Sequence, residues 1–295
     1  MAFAHFAAGF AALYLGAGLA VTYIVHRFPR RPVQDKPDWG RITDTRIPCA
    51  GDGSLEVWRI EPSGESRGTV VLAHGWSRNR GRMVERARTF GDLGYTTVIH
   101  SARDHGGSTR HPLMNALRFA EDIESVLCWV GRPVLLYGHS AGAAAAVIAA
   151  YRNPGRITHL FLEGCYARTR KALMKLYCGY HPLLAFFSPA ILGWMEIFYR
   201  GRLDSISPAR LAPDIDLPVL LIHGDKDERF PLEFMRELRD AFPARRAEVF
   251  IACGSGHSSS SLNPGYKKAV AAFLQRHSTE GKTLKNMNEP EGGDD

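Results

Sequence analysis

The first residues of the chain form a continuous apolar run unlike anything that follows. Residues 6–25 carry no charged side chain. At 1.5 Å per residue, a helix of this length crosses the roughly 30 Å hydrocarbon core of a bilayer. Arg27, Arg30 and Arg31 follow the run, and no Lys or Arg precedes it. Because positive charge stays on the cytoplasmic side, the pattern predicts a single-pass membrane anchor over residues 1–28 and a cytoplasmic domain after it.

A cleaved signal peptide is the alternative interpretation of this segment. Gly18-Leu19-Ala20 has the small-x-small pattern of a cleavage site. Signal peptides also carry a positively charged region before the apolar run, and this chain has none. The anchor is therefore the favoured interpretation, and cleavage stays open.

Beyond the anchor, short apolar runs alternate with amphipathic segments. The runs are rich in β-branched residues and predict strands, whereas the longer segments have helical periodicity. The predicted strands are 55–60, 69–74, 96–100, 133–138, 159–164, 217–224 and 247–252, and the predicted helices are 81–93, 112–130, 141–151, 232–241 and 265–276. Strands that alternate with helices form a mostly parallel sheet covered by helices on both faces. The pattern therefore predicts the α/β class.

Three other segments define the domain organisation. Residues 29–48 hold four prolines among charged residues, which is typical of an extended tether. Residues 166–212 are rich in large apolar side chains and too long for a loop, so they predict a helical cap inserted into the domain. Residues 278–295 have little to bury and predict a disordered tail. The folded domain is expected over residues 49–277.

Composition narrows the possible partners and cofactors. The 295 residues are 45% hydrophobic and carry a net charge of +7, which is compatible with a buried core and with attraction to a membrane surface. Basic runs interleaved with aromatic residues are absent, so we expect no nucleic-acid partner. The five cysteines form no CxxC pair and the histidines show no HExxH spacing, so we expect no disulfide scaffold, metal or cofactor. The oligomeric state stays open.

The candidate nucleophile is Ser140, within Gly138-His139-Ser140-Ala141-Gly142. This GxSxG pattern stands directly between a predicted strand and a predicted helix, as a nucleophile elbow requires. Small neighbours let the hydroxyl project, and the start of a helix favours developing negative charge. Helix capping alone would explain the serine but neither the two glycines nor the buried strand before them.

A candidate acid and base follow in the chain. A serine hydroxyl needs a general base, and the base needs an orienting acid. Asp225 and Asp227 come just after the strand 217–224, and His257 follows the strand 247–252. An aspartate in a short loop often bonds the backbone of its own turn, so the residues alone leave two candidates for the acid.

These motifs resemble those of the α/β-hydrolase superfamily, in particular its serine esterases and lipases, over about residues 50–276. The resemblance is carried by His74-Gly75-Trp76, GHSAG at 138–142, HGDKDERFP at 223–231 with Phe230 in place of Val, and Gly256-His257. A further family loop is altered here to SARDHGGS at 101–108, with Ser101 where Asp is usual and Asp104 where Gly is usual. These two differences are expected to affect how the loop packs and not the candidate catalytic residues.

The resemblance implies an α/β-hydrolase fold and a role for each site residue. Ser140 would be the nucleophile, His257 the base and Asp227 the acid, and the backbone N–H groups of Trp76 and Ala141 would form the oxyanion hole. The expected reaction is hydrolysis of carboxylic esters, and the anchor favours apolar or lipid acyl esters. A peptidase, an amidase, a thioesterase or a non-catalytic binding protein of this fold are the alternatives. Ser140 excludes the superfamily's dehalogenases and epoxide hydrolases, whose nucleophile is an aspartate.

Overall fold

A single mixed sheet organises the part of the chain that the computed structural model describes, residues 1–27 and 30–287. The strands are β1 (Arg41–Cys49), β2 (Gly53–Glu61), β3 (Thr69–Ala73), β4 (Thr96–His100), β5 (Val134–His139), β6 (Ile157–Glu163), β7 (Val219–Gly224) and β8 (Ala247–Ala252). The helices are α1 (Ala2–Val25), α2 (Val84–Asp92), α3 (Ala116–Val130), α4 (Ala141–Arg152), α5 (Thr169–Tyr180), α6 (Pro182–Phe198), α7 (Pro208–Leu211), α8 (Leu232–Ala241) and α9 (Tyr266–Met287).

The strand order places several loops at one edge of the sheet. The order is β1-β2-β4-β3-β5-β6-β7-β8, with β1 and β2 antiparallel and the strands from β3 to β8 parallel. Ala73 at the end of β3 pairs with Gly138 near the end of β5. The loops that leave β3 and β5 therefore lie side by side. The prediction of a mostly parallel sheet is confirmed.

Helices cover both faces of this sheet, as predicted. Helices α2 and α9 pack on one face through side chains such as Phe90 and Phe273, and α3, α4 and α8 pack on the other. Residues 142–150 of the Ala-rich helix α4 are all buried. Small side chains let α4 lie close to the sheet, which sets the position of its N-terminus.

The strand β1 was missed by the sequence analysis. Residues 41–49 fall largely within the predicted tether, yet they form a hairpin with β2 in which Cys49 pairs with Gly53. Ile47 is the only one of these residues that is buried, because β1 is an edge strand with one neighbour. An edge position also tolerates Pro48. The largely exposed strand therefore gave no apolar signal.

The insertion between β6 and β7 is helical, as predicted, and its second helix contains an internal proline. The chain does turn at His181 between α5 and α6, whereas Pro189 lies inside α6. Proline has no N–H to donate to the carbonyl four residues before it. The Ser188 hydroxyl donates instead to the Ala185 carbonyl, at 2.7 Å. The carbonyl is thus satisfied and the helix continues.

The first and last helices of the structure can be compared with the predicted anchor and the predicted tail. Of the residues that the structure describes, Ala2–Val25 is the one helix long and apolar enough to cross a membrane. At the other end, α9 continues to Met287, into the segment predicted as a disordered tail. Residues 288–295 of that segment, and residues 28–29 at the start of the tether, lie outside the described residues.

Candidate active site

The turn that carries Ser140 is too tight for any side chain larger than hydrogen on either flank. A Cβ atom on Gly138 would lie 2.4 Å from the Gly142 carbonyl oxygen, and one on Gly142 would lie 2.4 Å from the His74 carbonyl oxygen. Ser140 itself has φ 56° and ψ −119°, a conformation that L-residues rarely adopt. Its N–H donates to the Glu163 carbonyl, at 2.8 Å. The packed backbone thus holds the serine in a strained conformation.

Hydrogen bonds join the three side chains expected to act together. The Ser140 Oγ lies 2.9 Å from the His257 Nε2, and the His257 Nδ1 lies 2.7 Å from the Asp227 Oδ2. The Ser140 side chain does not cap α4, which removes the helix-cap explanation for this residue. The carboxyl of Asp227 is fully buried, and the imidazole of His257 is 9% exposed. The structure therefore brings together residues that lie far apart in the chain.

The loop after β7 gives its two aspartates different surroundings. The Asp227 Oδ1 accepts the N–H groups of Arg229 and Phe230, at 2.9 and 3.0 Å. Burial alone would raise the pKa of Asp227, but the hydrogen bond with His257 and the Phe230 N–H lower it below the ordinary value. Asp225 instead accepts the Gly254 N–H, at 2.6 Å. Asp225 therefore bonds the backbone of a neighbouring loop, and Asp227 faces the imidazole.

The loop after β3 packs against the nucleophile elbow. A Cβ atom on Gly75 would lie 3.0 Å from the Cβ of Ser140, so Trp76 begins directly beside the serine. His74 holds this loop: its Nδ1–H donates to the Gly75 carbonyl at 2.7 Å, and its Nε2 accepts the Ala102 N–H at 2.9 Å. Ala141 follows Ser140 in the chain and opens α4, and Trp76 follows Gly75, which packs on Ser140.

A buried ion pair holds the backbone next to His257. The sequence patterns did not indicate it. Arg86 on α2 donates to Glu163 at the end of β6, with 2.7 Å between Nη2 and Oε1. The same guanidinium donates to the Ser258 carbonyl, next to His257, at 3.2 Å. Burial alone would raise the pKa of Glu163, but Arg86 lowers it to about 2. Two sequence signals could have indicated this pair. They are a carboxylate within an apolar strand and an arginine on the buried side of a helix.

His139, the variable residue of the GxSxG pattern, has a supporting position as well. Its Nε2–H donates to the His257 carbonyl, at 3.0 Å. Burial lowers the pKa of His139 to about 3, so the imidazole is neutral at physiological pH. His139 therefore holds the backbone of the His257 loop without adding charge to the site. Its place beside Ser140 in the motif was a signal that sequence reasoning did not use.

We expect Glu163→Gln to lower the free energy of unfolding by about 3–5 kcal/mol, because the change leaves Arg86 charged, buried and unpaired. Urea unfolding of the purified protein measures this. The double variant Arg86→Met/Glu163→Leu should recover most of the loss, since neither charge remains. As a control, Asp216→Asn breaks an exposed pair with Arg246 and should cost less than about 1 kcal/mol. Equal losses for Glu163→Gln and Asp216→Asn would contradict the prediction.

No group of three or more His, Cys, Asp or Glu side chains suited to a metal ion occurs within residues 1–27 and 30–287. The arrangement consists of a serine, an imidazole and a carboxylate, with backbone donors beside them. Such an arrangement can perform nucleophilic acyl transfer with protein groups alone.

The fold has close counterparts among solved structures. An esterase of Pyrococcus furiosus superposes with a TM-score of 0.67 and 19% identity, covering 84% of this chain and 98% of that one. An esterase from Exiguobacterium antarcticum superposes with a TM-score of 0.61 and 18% identity, covering 79% of this chain and all of that one (100%). At such identities the likeness establishes the shared fold.

Two family models match successive parts of the chain. One is described as serine aminopeptidase, S33, and covers residues 64–210; the other is described as TAP-like protein and covers residues 203–284. Together they extend from the segment before β3 into α9. The chain belongs to the α/β-hydrolase superfamily. The predicted α/β-hydrolase fold is thus confirmed.

Curated relatives place this α/β hydrolase among the esterase- and lipase-like members. A monoacylglycerol lipase of Mycolicibacterium smegmatis is 24% identical over 68% of this chain and 84% of its own length. Protein bem46 of Schizosaccharomyces pombe is 26% identical over 72% of this chain and 69% of its own length. An uncharacterised membrane protein of Saccharomyces cerevisiae is 26% identical over 75% of each chain. The prediction of an esterase- or lipase-like hydrolase is confirmed at this level.

Proposed function

We propose that this α/β hydrolase is a membrane-anchored serine hydrolase that cleaves carboxylic esters through Ser140, His257 and Asp227. The continuous hydrogen-bonded chain from Ser140 through His257 to Asp227 carries the proposal. It stands on a strained strand-to-helix turn, where a serine hydroxyl is exposed to a bound acyl group. A binding protein of the same fold would have no need of this alignment.

The proposed reaction has two stages. Ser140 attacks the acyl carbonyl while the His257 Nε2 takes the serine proton, and the imidazole then gives that proton to the leaving alcohol. Asp227 holds the Nδ1–H of His257 and stabilises the imidazolium that forms. The N–H groups of Trp76 and Ala141 would bind the oxyanion, where one donor is typically worth about 3–4 kcal/mol. Water, activated by His257, then releases the acid from the acyl-enzyme.

Apolar acyl esters are the proposed substrates. The relatives include a monoacylglycerol lipase and a monoglyceride lipase, and the cap α5–α6 presents large apolar side chains such as Leu183 and Phe186 to the outside. An anchored enzyme also meets substrates that partition into the bilayer. We expect the purified protein to hydrolyse monoacylglycerols and long-chain p-nitrophenyl esters faster than p-nitrophenyl acetate. Measured kcat/KM across a chain-length series tests this, and failure on every ester would contradict the esterase assignment.

Peptide hydrolysis is the second candidate, because the family model over residues 64–210 is described as a serine aminopeptidase. The same three side chains serve ester and amide substrates. Aminoacyl p-nitroanilides distinguish the two activities when they are assayed beside the esters. Turnover of anilides at rates above those of every ester would replace the esterase proposal.

Anchoring through α1 is the second part of the proposal. Arg27, Arg30 and Arg31 follow the helix within six residues, so we infer that the catalytic domain faces the cytoplasm. A cleaved signal sequence fits poorly, because Tyr14 of α1 donates to the Phe186 carbonyl of the cap, at 2.9 Å. Alkaline phosphatase fused after Asp295 should be inactive in bacterial cells. An active fusion would place the domain on the outside and contradict the topology.

A further inference from the structure

Helix α1 docks on the cap helix α6 at a point of close approach. A Cβ atom on Gly18 would lie 2.5 Å from the Cβ of Ala190. Beside this crossing, the Trp194 Nε1–H donates to the Leu15 carbonyl at 2.9 Å, and the ring of Tyr14 stacks on Phe187 with centroids 5.3 Å apart. Small residues at the crossing and hydrogen bonds beside it are typical of helix pairs within membranes.

Only the second half of α1 takes part in this docking. Its residues that are buried or half-buried are Tyr14, Ala17, Gly18, Val21, Thr22 and Val25, which share one helical stripe. Every residue from Ala2 to Leu13 is exposed. Twelve residues of helix measure about 18 Å, whereas the hydrocarbon core is about 30 Å thick. If α1 crosses the bilayer while docked, part of its docked half must lie inside the hydrocarbon.

The outward side of α6 has the composition that this placement requires. Leu183, Phe186 and Ile197 are 53%, 59% and 61% exposed. With the exposed Pro189 and Gly193 they follow one another at intervals of three or four residues, so they form a single helical face. That face carries no charged or hydrogen-bonding side chain, and it lies beside the exposed apolar surface of α1.

We propose that α6 enters the hydrocarbon layer beside α1, so that lipid covers the face formed by Leu183, Phe186 and Ile197. The proposal rests on the proposed membrane anchoring by α1. Continuity with α1 identifies the occupant as a bilayer, because the two apolar surfaces adjoin. Arg27, Arg30 and Arg31 follow α1 at the end nearest the domain, where anionic headgroups would meet them.

This placement connects the bilayer to the candidate active site. The Tyr177 hydroxyl donates a hydrogen bond to the Nε2 of His26, directly after α1, at 3.0 Å. Its ring also meets Trp76 edge to face, with centroids 5.7 Å apart. The anchor therefore ends against the loop that would hold the oxyanion. A lipid ester at headgroup depth would reach Ser140 while its acyl chain remains among the lipids beside α1 and α6.

Brominated lipids test the proposal, because bromine quenches tryptophan fluorescence only at contact range. The full-length protein is reconstituted in vesicles of phosphatidylcholine and phosphatidylglycerol, with or without bromine on the acyl chains. We expect Phe186→Trp to add emission that brominated chains quench almost completely. Trp194→Phe should remove a quenched component present in the original protein.

Two exposed aromatic residues far from α6 serve as controls. Tyr151 at the end of α4 is 45% exposed and Trp129 at the end of α3 is 37% exposed. Emission added by Tyr151→Trp should resist quenching, and Trp129→Phe should leave the quenched component unchanged.

The outcomes separate this proposal from the anchoring on which it rests. If the Phe186→Trp variant sediments with the vesicles but its added emission is not quenched, α6 lies outside the hydrocarbon and the proposal is overturned. Protein that fails to sediment with the vesicles would overturn the anchoring itself. Quenching that disappears when the protein is dimeric, as judged by chemical crosslinking, would assign the face to a second copy of the chain and overturn the lipid assignment.

Discussion

Ser140→Ala is expected to lower kcat for ester hydrolysis by roughly 10⁵- to 10⁶-fold, the scale found when a serine hydrolase loses its nucleophile. The substitution removes one hydroxyl and leaves the rest of the substrate-binding surface in place, so KM should change little. Alanine also removes the Oγ that lies 2.9 Å from the His257 Nε2. Covalent labelling by a fluorophosphonate should disappear with the activity. Steady-state kinetics and labelling of the purified protein measure the two effects.

A matched serine elsewhere in the domain serves as the control for this result. Ser125 on α3 donates to the Glu121 carbonyl of its own helix, at 3.0 Å, and has no contact with the site. Ser125→Ala should retain full labelling and activity. If Ser140→Ala kept more than about 1% of the activity, far above the level expected without a nucleophile, the serine mechanism would be refuted.

Asp227→Asn is expected to reduce kcat by about 10⁴-fold, because an amide would favour the wrong tautomer of His257. The backbone donors of Arg229 and Phe230 can still bond the amide oxygen, so the fold should survive. Asp225→Asn is the matched change two residues away, and it should alter kcat less than about threefold since Asp225 bonds the Gly254 N–H. Comparable losses in the two variants would refute the assignment of the acid to Asp227.

The pH dependence of stability offers a second check on Asp227. Its pKa in the folded protein lies below the ordinary value of 3.8. The stability that this carboxylate contributes is therefore complete above pH 3.8 and is lost as the pH falls through the folded pKa. Replacing it by asparagine should therefore make the free energy of unfolding less sensitive to acid below pH 3.8. Urea unfolding at a series of pH values on either side of pH 3.8 measures the difference.

Local sequence patterns predicted those features of the fold and the site that depend on residues close together in the chain. The GxSxG pattern placed Ser140 between a strand and a helix because both glycines are required by backbone contacts within a few residues. The apolar runs located β2 to β7 because these strands lie inside the sheet and are largely buried. The edge strand β8 is mostly half-buried, and its apolar run at residues 247–252 was still sufficient to locate it. Asp227 was separable from Asp225 only by resemblance, since both follow β7 by a similar distance. Their hydrogen bonds depend on a loop that comes later in the chain.

The sequence patterns did not predict contacts between distant segments, because such contacts depend on how the segments pack in the folded protein. The strand β1 pairs with one neighbour and exposes most of its side chains, so its sequence lacks the alternation of a half-buried strand. The pairing of Arg86 with Glu163 depends on how α2 crosses the sheet. The docking of α1 on α6 joins an apolar helix to an apolar cap. An apolar pattern shows that a helix face is covered, but it does not specify which segment covers it.

The close crossing of Gly18 with Ala190 also has a consequence for how the protein is made. Helix α1 is synthesised first, and α6 follows only after the chain from His26 to His181 has been translated, which takes roughly 10–30 s. The face of α1 that α6 later covers therefore remains without its partner helix, beside the ribosome or in the bilayer, during that time. A shortened protein that begins after α1 would leave Ala190 and Phe187 uncovered. Such a fragment should aggregate on overproduction unless detergent takes the place of the missing helix.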